Sequence, residues 1–151
     1  ARRILGDSGL ARIAAQVAAS EKHHTGEIRV CIESGLPLAD LWRGASARER
    51  ALALFGHLRV WDTESNNGVL IYLLLAERAI ELVADRGIAK RVPATVWQGL
   101  VEEMQLAFRD GDFQRGLDHA LTQVDRLLRQ HFPAMDGIPN PNELPDLPSV
   151  R

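Results

Sequence analysis

The stretch NNGVLIYLLLAERAIELVADRGI, residues 66–88, decides the fold of this chain. Its first apolar run, residues 69–76, has no polar face, which is typical of a central strand covered by helices on both sides. A short turn at Glu77-Arg78 leads into residues 80–85, which we interpret as the antiparallel partner of the first run. Asn67-Gly68 before the first run indicates a turn. The stretch therefore predicts a β-hairpin at the centre of a sheet.

Helix and strand signals flank this hairpin on both sides. The segment EIRVCIE, residues 27–33, alternates apolar and polar positions and predicts a half-buried strand. Apolar residues at helical spacing follow four start signals, which are Asp7, the capping box Ser46–Glu49, Pro93 and Asp112. Because helices and strands alternate, the sequence predicts an α/β fold with a small mixed sheet.

The composition is that of an ordinary globular domain, and it excludes several classes of protein. Of 151 residues, 46% are hydrophobic, and 18 basic against 20 acidic residues leave a net charge of -2. This balance argues against a protein that binds nucleic acid through its global charge. Cys31 is the one cysteine, which excludes an internal disulfide framework. No stretch reaches the roughly 18 apolar residues of a membrane-spanning helix.

The two ends of the chain bear on its domain boundary and its location. Residues 133–151 hold five of the seven prolines and show almost no periodicity. We interpret them as an extended tail behind a domain that spans residues 1–132. The alternative is a packed arm, whose docking residues would be Ile138, Leu144 and Leu147. We predict a cytoplasmic location, and because the chain begins with an alanine rather than Met, an envelope location is the alternative.

The expected topology brings three loops to one edge of the sheet. A strand, a crossover helix and a second strand form a right-handed parallel unit, so both strands begin at the same edge. The third strand runs back along the second and therefore ends there. Three segments are expected to meet at that edge: residues 23–26, 62–68 and 85–87.

Side chains that suit a small cation or an anion gather at this edge. Asp62, Glu64 and Asp85 are the candidate metal ligands, because carboxylate and amide oxygens suit Ca²⁺ or Mg²⁺. A phosphate group would be held by Arg86 as a two-pronged donor and by Lys90 as a point charge. The alternative is turn chemistry, in which each residue shapes or caps its loop. Amides and hydroxyls add further polar groups: Asn66, Asn67, Thr25 and Thr63.

Other candidate sites are weaker. His23 and His24 lack a nearby cysteine or a patterned third ligand, so we do not expect a zinc site. Cys31 lies between apolar residues of a strand, and we interpret it as a buried, inert thiol. The motifs G-x-S-x-G, G-x-G-x-x-G, H-E-x-x-H and the P-loop do not occur. The tryptophans are interpreted as core or groove anchors: Trp42, Trp61 and Trp97.

Four segments together resemble the TPM domain family: TGEIRV (25–30), RERALALFGHLRVWDT (48–63), the hairpin stretch (66–88) and RDGDF…HFP (109–133). That family includes thylakoid-lumen phosphatase-like proteins, photosystem II repair proteins and many bacterial proteins, and this chain is similar to its short, stand-alone bacterial branch. The resemblance implies a three-layer α/β/α sandwich. It also implies acid phosphatase activity and divalent-cation binding, which have been proposed for some members. The family motif covers these positions here: Thr25, Gly26, Asn67, Gly68, Asp85 and Gly87.

These observations predict a small soluble module of the TPM type that acts as a binding or accessory domain. Its partner would be a protein or an anionic ligand rather than nucleic acid, and Ca²⁺ or Mg²⁺ would be its cofactor. The first alternative is a metal-assisted phosphomonoesterase, for which Thr25 and Thr63 are the nucleophiles at the edge and His24 is the general base. The second alternative is a purely structural protein-interaction domain.

Overall fold

The computed structural model describes residues 2–134 and 146–151. In this part of the chain, three helices and three strands occupy the residues up to 84, and three further helices precede a short terminal strand. The elements are α1 (Arg2–Glu21), β1 (Glu27–Glu33), α2 (Leu38–Trp42), α3 (Ala47–His57), β2 (Gly68–Leu74), β3 (Ala79–Ala84), α4 (Arg86–Ala89), α5 (Ala94–Arg109), α6 (Phe113–His131) and β4 (Ser149–Val150). None of the described helices is both long enough and apolar enough to cross a membrane.

The predicted hairpin forms the centre of the sheet. The strand order is β3-β2-β1-β4, with β2 antiparallel to β3 and parallel to β1. All seven residues of β2 are buried, as expected for a strand that is covered on both faces. The predicted directions of the first three strands are therefore confirmed.

The sheet separates two apolar clusters, and this confirms the three-layer α/β/α arrangement. On one face, Ile28, Val30 and Ile32 of β1 pack in one cluster with apolar residues of α1, α5 and α6. On the other face, Cys31 packs with Ala51 and Leu54 of α3. Burial raises the pKa of the Cys31 thiol to about 11, with a smaller contribution from the Glu33 charge, so the thiol stays protonated and inert at neutral pH.

The prediction that β1 is half-buried with a polar face is wrong. Glu27 and Glu33 are almost fully buried, although their spacing places them opposite the apolar residues. Glu33 is buried because two partners satisfy it: the Arg50 guanidinium donates to both of its carboxylate oxygens, and the Tyr72 hydroxyl donates to one. Alternation in the sequence shows which residues share a face, but partners brought by other elements decide whether that face is exposed.

The last residues of the chain lie on the sheet. β4 pairs parallel with β1, and the Arg151 N–H donates to the Ile32 carbonyl at 2.8 Å. In these residues the chain thus lies on the sheet, as the packed-arm alternative describes. Leu147 is 65% exposed and contributes its backbone carbonyl, which accepts from Arg29, rather than an apolar contact. The other two proposed docking residues, Ile138 and Leu144, lie outside the described residues, and the domain boundary after residue 132 stays a prediction.

The starts of α3 and α6 follow the predicted signals, while the two short helices α2 and α4 were not predicted. The Ser46 hydroxyl accepts from the Glu49 N–H at 3.1 Å at the start of α3, and Asp112 caps α6 in the same way. The five-residue helix α2 has no buried residue, and Trp42 on it is 82% exposed. Trp61 is also exposed, so the interpretation of these two tryptophans as anchors is wrong. Apolar type alone does not bury a side chain that no other element covers.

Candidate functional site

The three loops meet at one edge of the sheet, as the topology predicts. The Asp85 N–H donates to the Gly68 carbonyl at 2.9 Å, and the Gly87 N–H donates to the Asn66 carbonyl at 2.8 Å. The Glu27 N–H faces the Asn67 carbonyl at 3.4 Å. These backbone bonds join the second segment to the third and to Glu27, the residue that directly follows the first segment, so the edge has a defined shape that does not depend on side chains. We call this surface the loop edge: residues 23–26, 62–68 and 85–87.

Two glycines allow the loops to approach so closely. A Cβ atom on Gly68 would lie 2.2 Å from the Val60 carbonyl oxygen, and one on Gly87 would lie 2.3 Å from the Ser65 carbonyl oxygen. The positive φ in this loop belongs to Asn66, at 52°, rather than to Asn67 or Gly68. These glycines are needed for space between backbones rather than for an unusual backbone angle.

Asn67 is the most unusual polar residue of the loop edge. It is 1% exposed, and within the described part of the chain neither its Oδ1 nor its Nδ2 has a hydrogen-bond partner. Its backbone is satisfied, because its N–H donates to the Thr63 hydroxyl at 3.1 Å. A buried polar group without a partner costs roughly 1–3 kcal/mol, so such a side chain in a folded protein points to a water, an ion or a ligand.

Asp85 has a similar half-satisfied carboxylate. Its Oδ1 accepts from the Arg86 N–H at 2.7 Å and caps α4, while its Oδ2 is buried without a partner among the described residues. One carboxylate oxygen of Asp85 therefore remains available at the loop edge.

The other two predicted metal ligands are arranged differently. Asp62 forms an ion pair with Arg59 at 2.7 Å on the surface, and Glu64 is exposed. Within residues 2–134 and 146–151, no three His, Cys, Asp or Glu side chains lie close enough to hold one metal ion. The structure therefore does not bring Asp62, Glu64 and Asp85 together as a group.

Cations are present beside the loop edge. Arg86 and Lys90 are exposed on and just after α4, and neither makes an ion pair with another described residue. The two threonines are used in the local structure: the Thr63 hydroxyl accepts from Asn67, and the Thr25 N–H donates to the Phe132 carbonyl at 2.8 Å. The edge thus combines a buried amide, a carboxylate and two exposed positive charges.

A buried pair of carboxyl groups lies beside the edge and was not predicted. Glu21 ends α1, Glu27 begins β1, and both are buried. Burial raises the pKa of Glu21 to about 9, and the charge and hydrogen bond of Glu27 act in the same direction. Glu21 is therefore protonated at neutral pH. The sequence signal, a glutamate at each end of the loop, does not distinguish this pair from surface residues.

A second polar cluster links α1 to α6 and joins His24, which the sequence analysis named, to Ser20 and Asp125, which it did not. The Nδ1 atom of His24 accepts from the Gly26 N–H at 3.1 Å, so the proton of the neutral ring lies on Nε2. Nε2 is 2.8 Å from the Ser20 hydroxyl, which donates to Asp125 at 2.5 Å. The hydrogen bonds thus run from the histidine to the serine. A hydrolytic triad needs the histidine to accept the serine proton, so this cluster does not activate Ser20 as a nucleophile.

We expect the buried histidine to make the fold sensitive to acid. Burial lowers the pKa of His24 from its ordinary 6.5 to about 4, against the opposing charge of Asp125. Between these values the unfolded chain binds a proton that the folded chain does not, so stability falls as the pH drops through this range. Between pH 7 and pH 4.5, His24 should account for a loss of about 2 kcal/mol, since one pKa unit is worth about 1.4 kcal/mol.

Urea unfolding of wild type and His24→Asn at both pH values measures this contribution. Asparagine does not titrate and keeps an acceptor for Gly26, so the variant should lose less stability on acidification than wild type. His57→Asn, at an exposed position of α3, is the matched control and should behave as wild type. Equal acid losses in wild type and His24→Asn would show that His24 does not carry the effect.

Comparison with solved structures places the fold among known proteins. The NMR structure of the BA42 protein from the psychrophilic bacterium Bizionia argentinensis is 26% identical, with a TM-score of 0.80 over 100% of this chain and 94% of that one. The solution NMR structure of the N-terminal domain of a protein from P. gingivalis is 19% identical, with a TM-score of 0.68 over 87% of this chain and 83% of that one. The second likeness concerns the fold alone.

The comparison with protein families gives a direct match. None of the curated proteins compared with this chain matches it. The model of the TPM domain matches residues 2–127, which include β1, β2, β3 and the three loops of the loop edge. This chain belongs to the TPM domain family.

Proposed function

We propose that this TPM domain is a binding or accessory module whose loop edge takes up a divalent cation, Ca²⁺ or Mg²⁺. The observation that carries the proposal is the Asn67 side chain, which is 99% buried and makes no hydrogen bond within the described residues. Asp85, on the loop joined to Asn66 and Gly68 by backbone hydrogen bonds, adds a carboxylate oxygen without a partner. Both are hard oxygen donors of the kind these cations prefer.

Asn67 and Asp85 supply only two protein ligands. This favours a cation that keeps several bound waters or that also binds an anionic group of a partner. Mg²⁺ is commonly held by one or two carboxylates, several waters and a phosphate group. Arg86 and Lys90 lie where they would receive the negative charge of such an anion. The proposed protein ligands are therefore the carboxylate of Asp85 and the amide oxygen of Asn67. Asp62 is not among them, because it pairs with Arg59.

Binding is favoured over catalysis by the state of Thr63, one of the two candidate nucleophiles, and of His24, the candidate base. A phosphomonoesterase requires a nucleophile or a metal-bound water together with groups that move its proton. The Thr63 hydroxyl accepts from Asn67, and the Nδ1 atom of His24 accepts from the Gly26 N–H. Neither arrangement prepares an attack on phosphorus. The cytoplasmic location and the identity of the partner stay predictions.

A cation titration followed by NMR tests the proposal. On addition of CaCl₂ or MgCl₂ to the ¹⁵N-labelled protein, we expect shifts of the Asn67, Asp85 and Gly87 amides. Asp85→Asn keeps the cap on α4 but removes the charge, and it should weaken cation binding at least tenfold. Asp62→Asn is the matched control and should leave the affinity unchanged, because Asp62 is occupied by Arg59.

The contrary outcomes are equally distinct. If neither cation shifts the Asn67 or Asp85 amides, the cation site does not exist. If Asp62→Asn weakens binding as much as Asp85→Asn, the site lies elsewhere on the loop. We expect no turnover of p-nitrophenyl phosphate in the same buffers. Metal-dependent hydrolysis that Asp85→Asn abolishes would establish the enzymatic alternative in place of an accessory role.

A further inference from the structure

The outer edge of β3 is a strand edge that is partly occupied by side chains. β3 is hydrogen-bonded to β2 on one side and is the terminal strand of the sheet on the other. The Arg48 guanidinium donates to the Leu82 carbonyl, and the Ile80 N–H donates to the Gln105 side chain at 3.3 Å. Alternate residues of a strand turn their backbone groups to the same side. Ile80, Leu82 and Ala84 therefore face away from β2, and side chains occupy two of their groups.

A groove of about 680 Å³ runs beside this edge, between β3 and α5. Leu82 and Ala84 lie along one side, and Trp97 and Val101 lie along the other. This volume is within the roughly 300–1,000 Å³ that ligand sites commonly have. The Trp97 Nε1 atom is buried and has no hydrogen-bond partner among the described residues. A buried indole N–H normally finds an acceptor, so the groove offers an unused donor as well as apolar surface.

The charges around the groove favour a positively charged occupant. Among the described residues that line the groove, two are acidic, Glu81 and Glu102, and one is basic, Arg48. Arg48 lies 3.7 Å from Glu81 and also donates to the Leu82 carbonyl, while Glu102 makes no ion pair within the described part of the chain. Burial raises the pKa of Glu81, which shows that Arg48 does not fully compensate its carboxylate. Glu81 shares the α3 face of the sheet with Ala79 and Val83, whereas Glu102 lies on α5 on the other face, so the positive charge of an occupant would pair with Glu102.

We propose that this groove binds an extended, positively charged segment of a partner protein, which adds to β3 as a further strand. Addition to a free sheet edge draws affinity from main-chain hydrogen bonds and specificity from alternate side chains. The Leu82 N–H and the groups of Ala84 supply the main-chain bonds, and Trp97 donates to a peptide carbonyl. A lysine or arginine of the segment pairs with Glu102.

This surface is separate from the loop edge and goes beyond the cation-binding function. Six residues of β3 extend over about 20 Å, so a segment of five to seven residues is sufficient to follow the strand. The groove takes an extended chain rather than a helix, because the Leu82 N–H and the backbone groups of Ala84 lie along its long side and are not taken by Arg48 or Gln105. A small apolar molecule would leave those groups unpaired.

Peptide titration in the presence of EDTA tests the inference independently of any cation. The probes are the blocked peptides Ac-VTVKVTV-NH2, its lysine-to-glutamate version, and Ac-VTPKPTV-NH2, in which prolines remove two N–H donors. With the lysine peptide, we expect shifts of the Leu82 and Ala84 amides and of the Trp97 indole. The glutamate and proline peptides should bind at least tenfold more weakly.

Two variants examine the contacts with little risk to folding. Glu102→Lys lies at an exposed position and should reverse the preference between the lysine and glutamate peptides. Trp97→Phe keeps a ring but removes the N–H, and it should weaken binding severalfold. Equal binding of all three peptides, shifts confined to other surfaces, or no binding of the lysine peptide at millimolar concentration would overturn the inference. Protein-concentration-dependent broadening at Leu82 without peptide would overturn it in favour of a second copy of the chain.

Discussion

Replacing Phe108 by alanine is expected to lower the free energy of unfolding by about 3–5 kcal/mol. Phe108 is fully buried on α5, where it contacts Phe113 edge to face at a ring distance of 4.6 Å and packs in the cluster between the helices and the sheet. Alanine at this position removes most of the buried ring and leaves a cavity that the two flanking helices fill only in part. Urea unfolding at constant pH measures the loss.

Leu106→Ala is the matched control for this change. Leu106 lies on the same helix but is 64% exposed, so its truncation should change stability by no more than about 0.5 kcal/mol. A loss below 1 kcal/mol for Phe108→Ala would mean that α5 does not present this residue to the core.

Replacing Arg50 by methionine is expected to cost a similar amount, about 3–5 kcal/mol at pH 7, for an electrostatic reason. The Arg50 Nε and Nη2 atoms each lie 2.9 Å from a carboxylate oxygen of Glu33, which is 3% exposed. The Tyr72 hydroxyl donates to the same carboxylate at 2.6 Å. Methionine keeps much of the side-chain volume but leaves the Glu33 charge buried beside a single neutral donor.

The pH dependence distinguishes this loss of charge from a packing defect. Burial alone would raise the pKa of Glu33, but the hydrogen bonds from Arg50 and Tyr72 hold it below its ordinary value. The stabilisation from Glu33 is therefore present above about pH 4.5 and is lost as the pH falls through the folded-state value. Arg50→Met should thus be most destabilising at neutral pH and less so in acid.

Two further variants control for the Arg50 experiment. Arg59→Met breaks the exposed pair with Asp62 and should cost less than about 1 kcal/mol. Glu33→Gln combined with Arg50→Met should recover part of the stability, because it removes the uncompensated charge. If Arg50→Met is as mild as Arg59→Met at every pH, the Glu33 charge is compensated by other groups.

Much of the fold and the position of the loop edge were predictable because they depend on local patterns. The apolar run of residues 69–76 and the turn after it indicate a central hairpin whatever surrounds them. The Ser46–Glu49 box begins a helix through a bond within four residues of chain. The handedness of the β-α-β connection then predicts three loops at one edge, and the backbone hydrogen bonds at Gly68 and Gly87 show two of these loops in contact.

What the sequence by itself determined is thus the order of the elements, their caps and the edge at which the loops meet. Only the tertiary structure decided which polar groups are satisfied there. Glu33 is buried because Arg50 and Tyr72 arrive from other elements, whereas Asn67 is buried and receives no such partner within the described residues. Hydrogen bonding and burial are set by atoms far apart in the chain, and a one-dimensional pattern does not contain those distances.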